Sequence, residues 1–140
     1  MSNEEKAKDA YFEACKGINV KENEQVVLEC KTGWCYSFAL NIPGADIKAH
    51  EKVILEIKSP SYSCYFAKDI PEADIKEHEK VILELNDPDY SCWFAEYIPG
   101  ANIEEHFKLI YNSGDKNWLN YFIENVNYKG TKVEKWLMYI

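Results

Sequence analysis

The sequence of 140 residues contains no arginine, so all 16 of its basic side chains are lysines. They are outnumbered by 24 acidic side chains, which gives a formal net charge of −8. Proteins that bind nucleic acid need a basic surface, and those that read bases rely heavily on arginine. We therefore expect no direct nucleic-acid binding and favour a protein partner with a basic surface. The alternative is that the acidity only keeps the protein in solution.

Long apolar runs are also missing, since none approaches the ~18 residues that cross a bilayer. The first five residues lack the basic and apolar regions of a signal peptide. These absences predict a cytoplasmic protein without a membrane segment.

The five cysteines are an odd number without C-x-x-C spacing, which indicates free thiols rather than disulfides or a zinc site.

The sequence does contain a phrase that recurs every 28 residues. Residues 46–56 read DIKAHEKVILE and residues 74–84 read DIKEHEKVILE, with looser copies from Asn19, Asn102 and Thr131. Self-similarity at a period of roughly 20–50 residues is typical of solenoids, whose units bury their apolar faces by stacking. Such proteins usually bind other macromolecules along an extended surface, so the repeat favours binding over catalysis.

Each unit is predicted to form two helices, which we call helix A and helix B. Helix A starts after the Asp, Asn or Thr that opens the phrase, because these residues cap helix N-termini. A glutamate three residues later predicts a capping box in four units, with Glu22, Glu77, Glu105 and Glu134. Helix B starts near Pro60 or Pro88 and carries an apolar stripe at i, i+4 and i+8. The stripe consists of Trp34, Phe38 and Ile42; Tyr62, Phe66 and Ile70; Tyr90, Phe94 and Ile98; and Trp118, Phe122 and Val126.

These patterns predict an all-α fold, namely a right-handed α-solenoid of about four stacked helix-turn-helix repeats in a single domain, residues 1–140. The repeats are expected at about residues 19–45, 46–73, 74–101 and 102–130. Capping helices are expected at residues 4–18 and 131–140, since end units must close the core. The first capping helix places Ala7, Tyr11, Ala14 and Cys15 on one face.

The pattern resembles the short α-solenoid repeats of the HEAT and tetratricopeptide type, although the period is shorter than theirs. Over about residues 19–126 it is similar to short bacterial and phage helical-repeat proteins that carry phrases such as Ile-Pro-Gly-Ala-Asp-Ile-Lys, here residues 42–48. The resemblance implies a solenoid that binds proteins. It also implies a cytoplasmic location in a bacterial cell, with the gene carried by the bacterium or by a phage.

The repeated polar side chains do not predict an active site. His50, His78 and His106 share one repeat position, and such side chains on helices ~8–10 Å apart point in parallel rather than converging on a metal ion. We interpret them as structural, with a pH-sensitive interface and a metal site as the alternatives. Two glutamate columns are interpreted as solvent-facing: Glu24, Glu51 and Glu79, and Glu29, Glu56 and Glu84. Cys64 and Cys92 are interpreted as packing residues, and a Gly-rich phosphate loop is missing. We expect no enzymatic activity, no metal and no cofactor.

Positions at which the copies differ are more informative, because packing would make them agree. On helix B these positions form a surface that is aromatic and mostly acidic, and interface centres favour Trp and Tyr. The predicted protein-binding residues are Tyr65, Asp69, Asp89, Trp93, Glu96, Tyr97, Tyr121 and Glu124. The alternative is that the aromatic residues among them form core between repeats.

The favoured hypothesis is a non-enzymatic inhibitor that occludes a basic, nucleic-acid-binding surface of a partner, as phage anti-defence (anti-CRISPR) or immunity proteins do. One alternative is a scaffold or a homodimer formed through the C-terminal helix, by way of Trp136, Leu137, Met138 and Ile140. Another alternative is a protein that sequesters a small ligand such as a nucleotide between aromatic columns.

Overall fold

The chain forms ten α-helices, a short C-terminal 3₁₀ helix and no strand in a computed structural model that describes all 140 residues. The all-helical prediction is confirmed, and the helices form a repeat-like arrangement in which adjacent helices pack together. No helix combines the length and the apolar character needed to cross a membrane. The helices are α1 Asn3–Cys15, α2 Val20–Cys30, α3 Trp34–Asn41, α4 Ile47–Ile57, α5 Pro60–Asp69, α6 Ile75–Leu85, α7 Pro88–Tyr97, α8 Ile103–Ser113, α9 Lys116–Asn125 and α10 Lys132–Trp136.

The predicted starts of the B helices are confirmed at two prolines. Helix α5 begins at Pro60, and the side chain of Ser59 accepts a hydrogen bond from the backbone of Tyr62 at 3.4 Å. Helix α7 begins at Pro88, with Asp87 as its capping residue. Proline suits this position because the first turn of a helix leaves its N–H groups without intrahelical partners.

The A helices begin where the repeat predicts, with one exception in the cap. Asp46 and Asn102 each accept a hydrogen bond from the backbone three residues ahead, at 3.2 Å. Asn19 precedes α2 in the left-handed region, with φ of 43°, and its side chain makes no capping bond. A left-handed residue directs its side chain away from the first turn, so this predicted cap is wrong.

The chain divides into two structural units, of which the first is Met1–Asp74. In this unit α1 contacts α3, α3 contacts α5, and α2 contacts α4, so helices two places apart lie side by side. The fully buried side chains are Val27, Cys35, Phe38, Ile54 and Phe66, together with Ala7 of α1 and His50 and Ser63. The predicted inner face of α1 is confirmed except at Cys15, which is exposed while Ala10 is buried.

The second unit is Ile75–Ile140, with the same arrangement: α6 contacts α8, α8 contacts α10, and α7 contacts α9. Its core contains Phe94, Phe122, Ile82, Ile110 and Val133, all at 0% exposure. The predicted C-terminal helix is shorter than expected, because α10 ends at Trp136 and Leu137–Tyr139 form the 3₁₀ helix.

The apolar stripe of the B helices is confirmed at its second and third positions. The phenylalanines and the Ile or Val residues are buried in every copy, whereas the first aromatic residue of each stripe is not. Tyr62, for example, is 36% exposed. It lies in the first turn of α5. The stripe therefore supplies core at its C-terminal two thirds and surface at its beginning.

Candidate protein-binding site

A shallow groove in the second unit collects most of the residues that the sequence predicts for binding. It has a volume of about 180 Å³ and is formed by α7 and α9. Five predicted site residues line it, and Trp118 joins them. The set is Asp89, Trp93, Glu96, Tyr97, Trp118 and Tyr121, and we call it the aromatic groove. Glu124, another of the predicted binding residues, is exposed on α9 but does not line the groove.

Contacts between side chains hold the aromatic groove in shape. The rings of Trp93 and Tyr97 lie 5.2 Å apart, and those of Trp118 and Tyr121 lie 5.5 Å apart, edge to face. The hydroxyl of Tyr121 donates to the carboxylate of Glu96 at 2.9 Å, which joins α9 to α7. This hydrogen bond, more than burial, raises the pKa of Tyr121 to about 12, so the phenol stays a neutral donor. The groove is therefore formed before any partner arrives.

The rings of the aromatic groove belong to the surface of the second unit. Tyr97 is 47% exposed and Tyr121 is 37% exposed, while Trp93 and Trp118 are half-buried. The alternative that Tyr65, Trp93 and Tyr121 form core between repeats does not fit their exposure, since none of the three is fully buried. Accessible rings beside carboxylates are available to a partner.

The other two predicted residues, Tyr65 and Asp69, lie on α5 in the first unit. Tyr65 is 47% exposed, and its ring lies 6.0 Å from that of Tyr36 on α3. The hydroxyl of Tyr36 donates to the carboxylate of Asp69, and Tyr62 lies 6.3 Å from Tyr36. The first unit therefore carries an aromatic–acidic cluster of its own, built in the same way from two B helices.

Sequence reasoning missed three members of these two surfaces. Trp118 and Tyr62 belong to the apolar stripe of the B helices, so their spacing gives no sign of exposure. Tyr36 had a signal in the sequence, since the equivalent residues of the next two copies are Cys64 and Cys92. A difference between copies indicates exposure, and the same indication predicts Tyr65 and Trp93 as binding residues.

One glutamate column is buried, which corrects the solvent-facing interpretation of Glu24, Glu51 and Glu79. Glu51 and Glu79 are each 7% exposed. The Oε2 atom of Glu79 accepts from the backbone N–H of Asn102 at 2.6 Å and lies 2.8 Å from Nε2 of His106. In the first unit, Glu24 accepts from the backbone of Asp46 at 2.8 Å. The Glu29, Glu56 and Glu84 column is exposed, as predicted.

These contacts also explain why the capping box fails. The N–H of Asn102, which the box assigns to Glu105, donates to Glu79 on the preceding A helix instead. Glu134 accepts from Gly130 at 3.1 Å rather than from Thr131. A buried carboxylate accepting a backbone N–H makes a charge-assisted bond, which is stronger than the same bond at an exposed box.

The histidines are structural side chains, as interpreted from the sequence. His50, His78 and His106 are all 0% exposed. The ring of His50 stacks on Phe38 at 5.0 Å, and the ring of His106 lies 5.4 Å from Phe94. Because an ionised carboxylate only accepts hydrogen bonds, Nε2 carries the hydrogen that faces the glutamate. Each of these two rings thus connects an A helix to the A helix before it.

The two rings differ at their other nitrogen. Nδ1 of His106 lies 2.6 Å from the hydroxyl of Ser91. In the first unit Cys35 holds the place of this serine, and its thiol points to the carbonyl of Val27 at 3.7 Å. Nδ1 of His50 has no hydrogen-bond partner. Burial lowers the pKa of His50 below its usual range, and outweighs the opposing effects of Glu24 and Asp46.

We expect His50 to make the protein less stable as the pH falls below about 6.5. The unfolded chain binds a proton there with a pKa of ~6.5, whereas the folded chain resists it until a lower pH. The stability that His50 contributes is complete above pH ~6.5 and decreases toward the lowered pKa. Urea unfolding at a series of pH values gives the free energy of unfolding as a function of pH. Below pH ~6.5 its slope should be steeper for the wild type than for His50→Gln, by up to ~1.4 kcal/mol per pH unit. Equal slopes, or an NMR titration of His50 with a midpoint above 6.5, would contradict this.

The aromatic groove offers chemistry that suits cationic side chains. Tryptophan and tyrosine faces attract lysine and arginine, and carboxylates pair with them. No group of three or more His, Cys, Asp or Glu side chains is placed to hold a metal ion, and all five cysteines are free thiols. Burial raises the pKa of Cys92 to about 12, so that this thiol stays protonated.

Comparisons with protein-family models, with characterised proteins and with solved structures find no match for this chain.

Proposed function

We propose that this chain is a non-enzymatic protein-binding module whose aromatic groove docks onto a basic surface of a partner. The observation that carries the proposal is the groove itself, in which four accessible rings stand beside two carboxylates. Tryptophan and tyrosine are enriched among the residues that dominate interface energies. Their rings also lose little conformational entropy when they are buried, since few of their bonds rotate.

The recognition chemistry follows from the neighbours of each group. A lysine or arginine over the face of Trp93 would gain a cation–π contact within ~6 Å. Asp89 is exposed at the start of α7 and is available to pair with a second cation. Glu96 is already positioned by Tyr121, so its charge is held in one place before docking. Charge pairs of this kind speed association and fix the register of the partner.

The finer proposal is that docking inhibits the partner. A protein surface that holds DNA or RNA is rich in lysine and arginine. An acidic chain with rings and carboxylates at one groove competes for those side chains without binding nucleic acid itself. This is the role expected of a bacterial or phage inhibitor, such as an anti-defence or immunity protein. Its support is the net charge of −8 together with the chemistry of the groove.

We predict that Trp93→Ala combined with Tyr97→Ala weakens binding to a basic partner by more than about 1 kcal/mol. The probe is an eight-residue peptide of alternating lysine and arginine, titrated by calorimetry at low salt. Partners captured from a bacterial lysate and identified by mass spectrometry are then titrated in the same way. Affinity for both should fall as the salt concentration rises, because the contacts are electrostatic.

The matched control removes an exposed apolar side chain of the same unit outside the groove, Leu85→Ala. This side chain is 44% exposed, so it resembles the groove rings in accessibility. The control should bind the peptide like the wild type. Unchanged affinity of the Trp93 and Tyr97 variant, with its helical circular dichroism intact, would reject the aromatic groove as the docking site.

A further inference from the structure

The second unit has another groove at its C-terminal end, and none of the predicted binding residues lines it. It has a volume of about 240 Å³ between α8 and the last helix. Its lining is mostly apolar and consists of Phe107, Lys108, Tyr111, Asn112, Trp136 and Ile140. We call it the C-terminal groove.

The groove exists because α10 is too short to cover α8. Trp136 closes over Phe107, with 5.9 Å between ring centroids, and the lysine nitrogen of Lys108 lies 5.5 Å from the Trp136 ring. One turn later on α8, Tyr111 is 47% exposed. Its equivalent one repeat earlier, Leu83 on α6, is half-buried. The second half of α8 thus lacks the cover that an A helix of full length would supply.

Apolar side chains protrude directly beside this recess. Met138 is 80% exposed, Tyr139 is 86% exposed and Ile140 is 60% exposed. Met138 and Tyr139 belong to the 3₁₀ helix that follows α10, and Ile140 comes directly after it. One patch therefore contains both a recess and the projections that could fill it. A surface of this kind is self-complementary, which is the requirement of a two-fold interface between identical chains.

The distribution of charge selects a second copy over a basic partner. Residues 101–140 contain five acidic side chains and five lysines, so this segment is neutral. Residues 1–100 contain 19 acidic side chains and 11 lysines, which accounts for the whole net charge of −8. The one charged side chain in the lining of the C-terminal groove is Lys108, so a basic protein finds no acidic side chain to pair with there. A second copy meets no net repulsion there, although it would meet repulsion elsewhere on the chain.

We propose that two copies of this chain dimerise through their C-terminal grooves. Met138 and Tyr139 of each copy contact the exposed face of Tyr111 in the other, and the exchange is reciprocal. The aromatic groove takes no part, so each copy of the dimer keeps its own docking site. Such a dimer would bind a two-fold or repetitive partner more tightly than one copy does, through effective concentration.

Sedimentation velocity over a concentration series tests the dimer. We expect a reversible monomer–dimer equilibrium, with Tyr111→Glu and Met138→Glu each raising the dissociation constant at least about 10-fold. Leu85→Glu is the matched control, because Leu85 is 44% exposed in the same unit but lies at the end of α6. It should leave the equilibrium unchanged. A monomer at every concentration, or equal weakening by the control, would overturn the proposal.

Mixing the two variants tests the reciprocal exchange. A mixed dimer of Tyr111→Glu with Met138→Glu keeps one intact contact, so the mixture should associate more tightly than either variant alone. No gain on mixing would reject this arrangement. The Trp93 and Tyr97 variant should dimerise like the wild type, and dimerisation should not weaken as salt rises. The Trp93 and Tyr97 variant thus tests peptide binding, and the Tyr111 and Met138 variants test dimerisation, so either proposal can fail without the other.

Discussion

Replacing Phe94 with alanine is expected to lower the free energy of unfolding by about 3–5 kcal/mol. The ring is completely buried and lies 5.4 Å from the ring of His106. Its removal loses apolar burial and leaves a cavity between α7 and α8, which rigid helix packing fills only partly. Urea unfolding followed by helical circular dichroism measures the loss.

Tyr97→Ala on the same helix is the control for this result. Tyr97 is 47% exposed, and its ring contacts that of Trp93. We expect a change of less than about 0.5 kcal/mol. Equal losses for the two variants would mean that the B-helix stripe does not form the core of the second unit.

Glu79→Ala is expected to lower the free energy of unfolding by about 2–4 kcal/mol, because it leaves one buried and one part-buried donor without an acceptor. These donors are the backbone N–H of Asn102 and Nε2–H of His106, which now lie 2.6 Å and 2.8 Å from Glu79 Oε2. The variant thus breaks the bonds between successive A helices without removing apolar volume from the core.

Two further variants decide the interpretation of this loss. Glu84→Ala, on the same helix but exposed, should change stability by less than about 0.5 kcal/mol. Glu79→Gln keeps an acceptor oxygen in place and should recover part of the loss. A Glu79→Ala variant as stable as Glu84→Ala would show that the buried carboxylate does not hold α6 and α8 together.

The helices could be predicted from the sequence because local signals agree with the repeat. Capping residues, Pro60 and Pro88, and the spacing of the apolar stripe each act within one or two turns. Their copies 28 residues apart provide internal confirmation. Exposure of the aromatic columns could be predicted for the same reason, since the buried aromatic residues Phe66 and Phe94 repeat, whereas the exposed aromatic columns differ between copies.

The Glu–His contacts could not be found by comparing like positions, because they join unlike positions of neighbouring copies. Glu24 and His50 are 26 residues apart, and Glu79 and His106 are 27 apart. The sequence does contain a signal for these contacts. In the last copies Phe107 holds the repeat position of Glu79, and Lys135 holds that of His106, so the glutamate and its partner histidine are lost together. There Phe107 contacts Trp136 instead, and an aromatic contact takes the place of the polar one.

The four tryptophans report separately on the packing of α1, the aromatic groove and the C-terminal groove. Trp34 lies against Tyr11 of α1, Trp93 and Trp118 line the aromatic groove, and Trp136 lines the C-terminal groove. Their indole N–H resonances can be followed by NMR while the lysine–arginine peptide is added. We predict that the Trp93 and Trp118 resonances shift and saturate together, while those of Trp34 and Trp136 stay in place. Four unmoved resonances, or shifts confined to Trp34 and Trp136, would contradict a binding site at the aromatic groove.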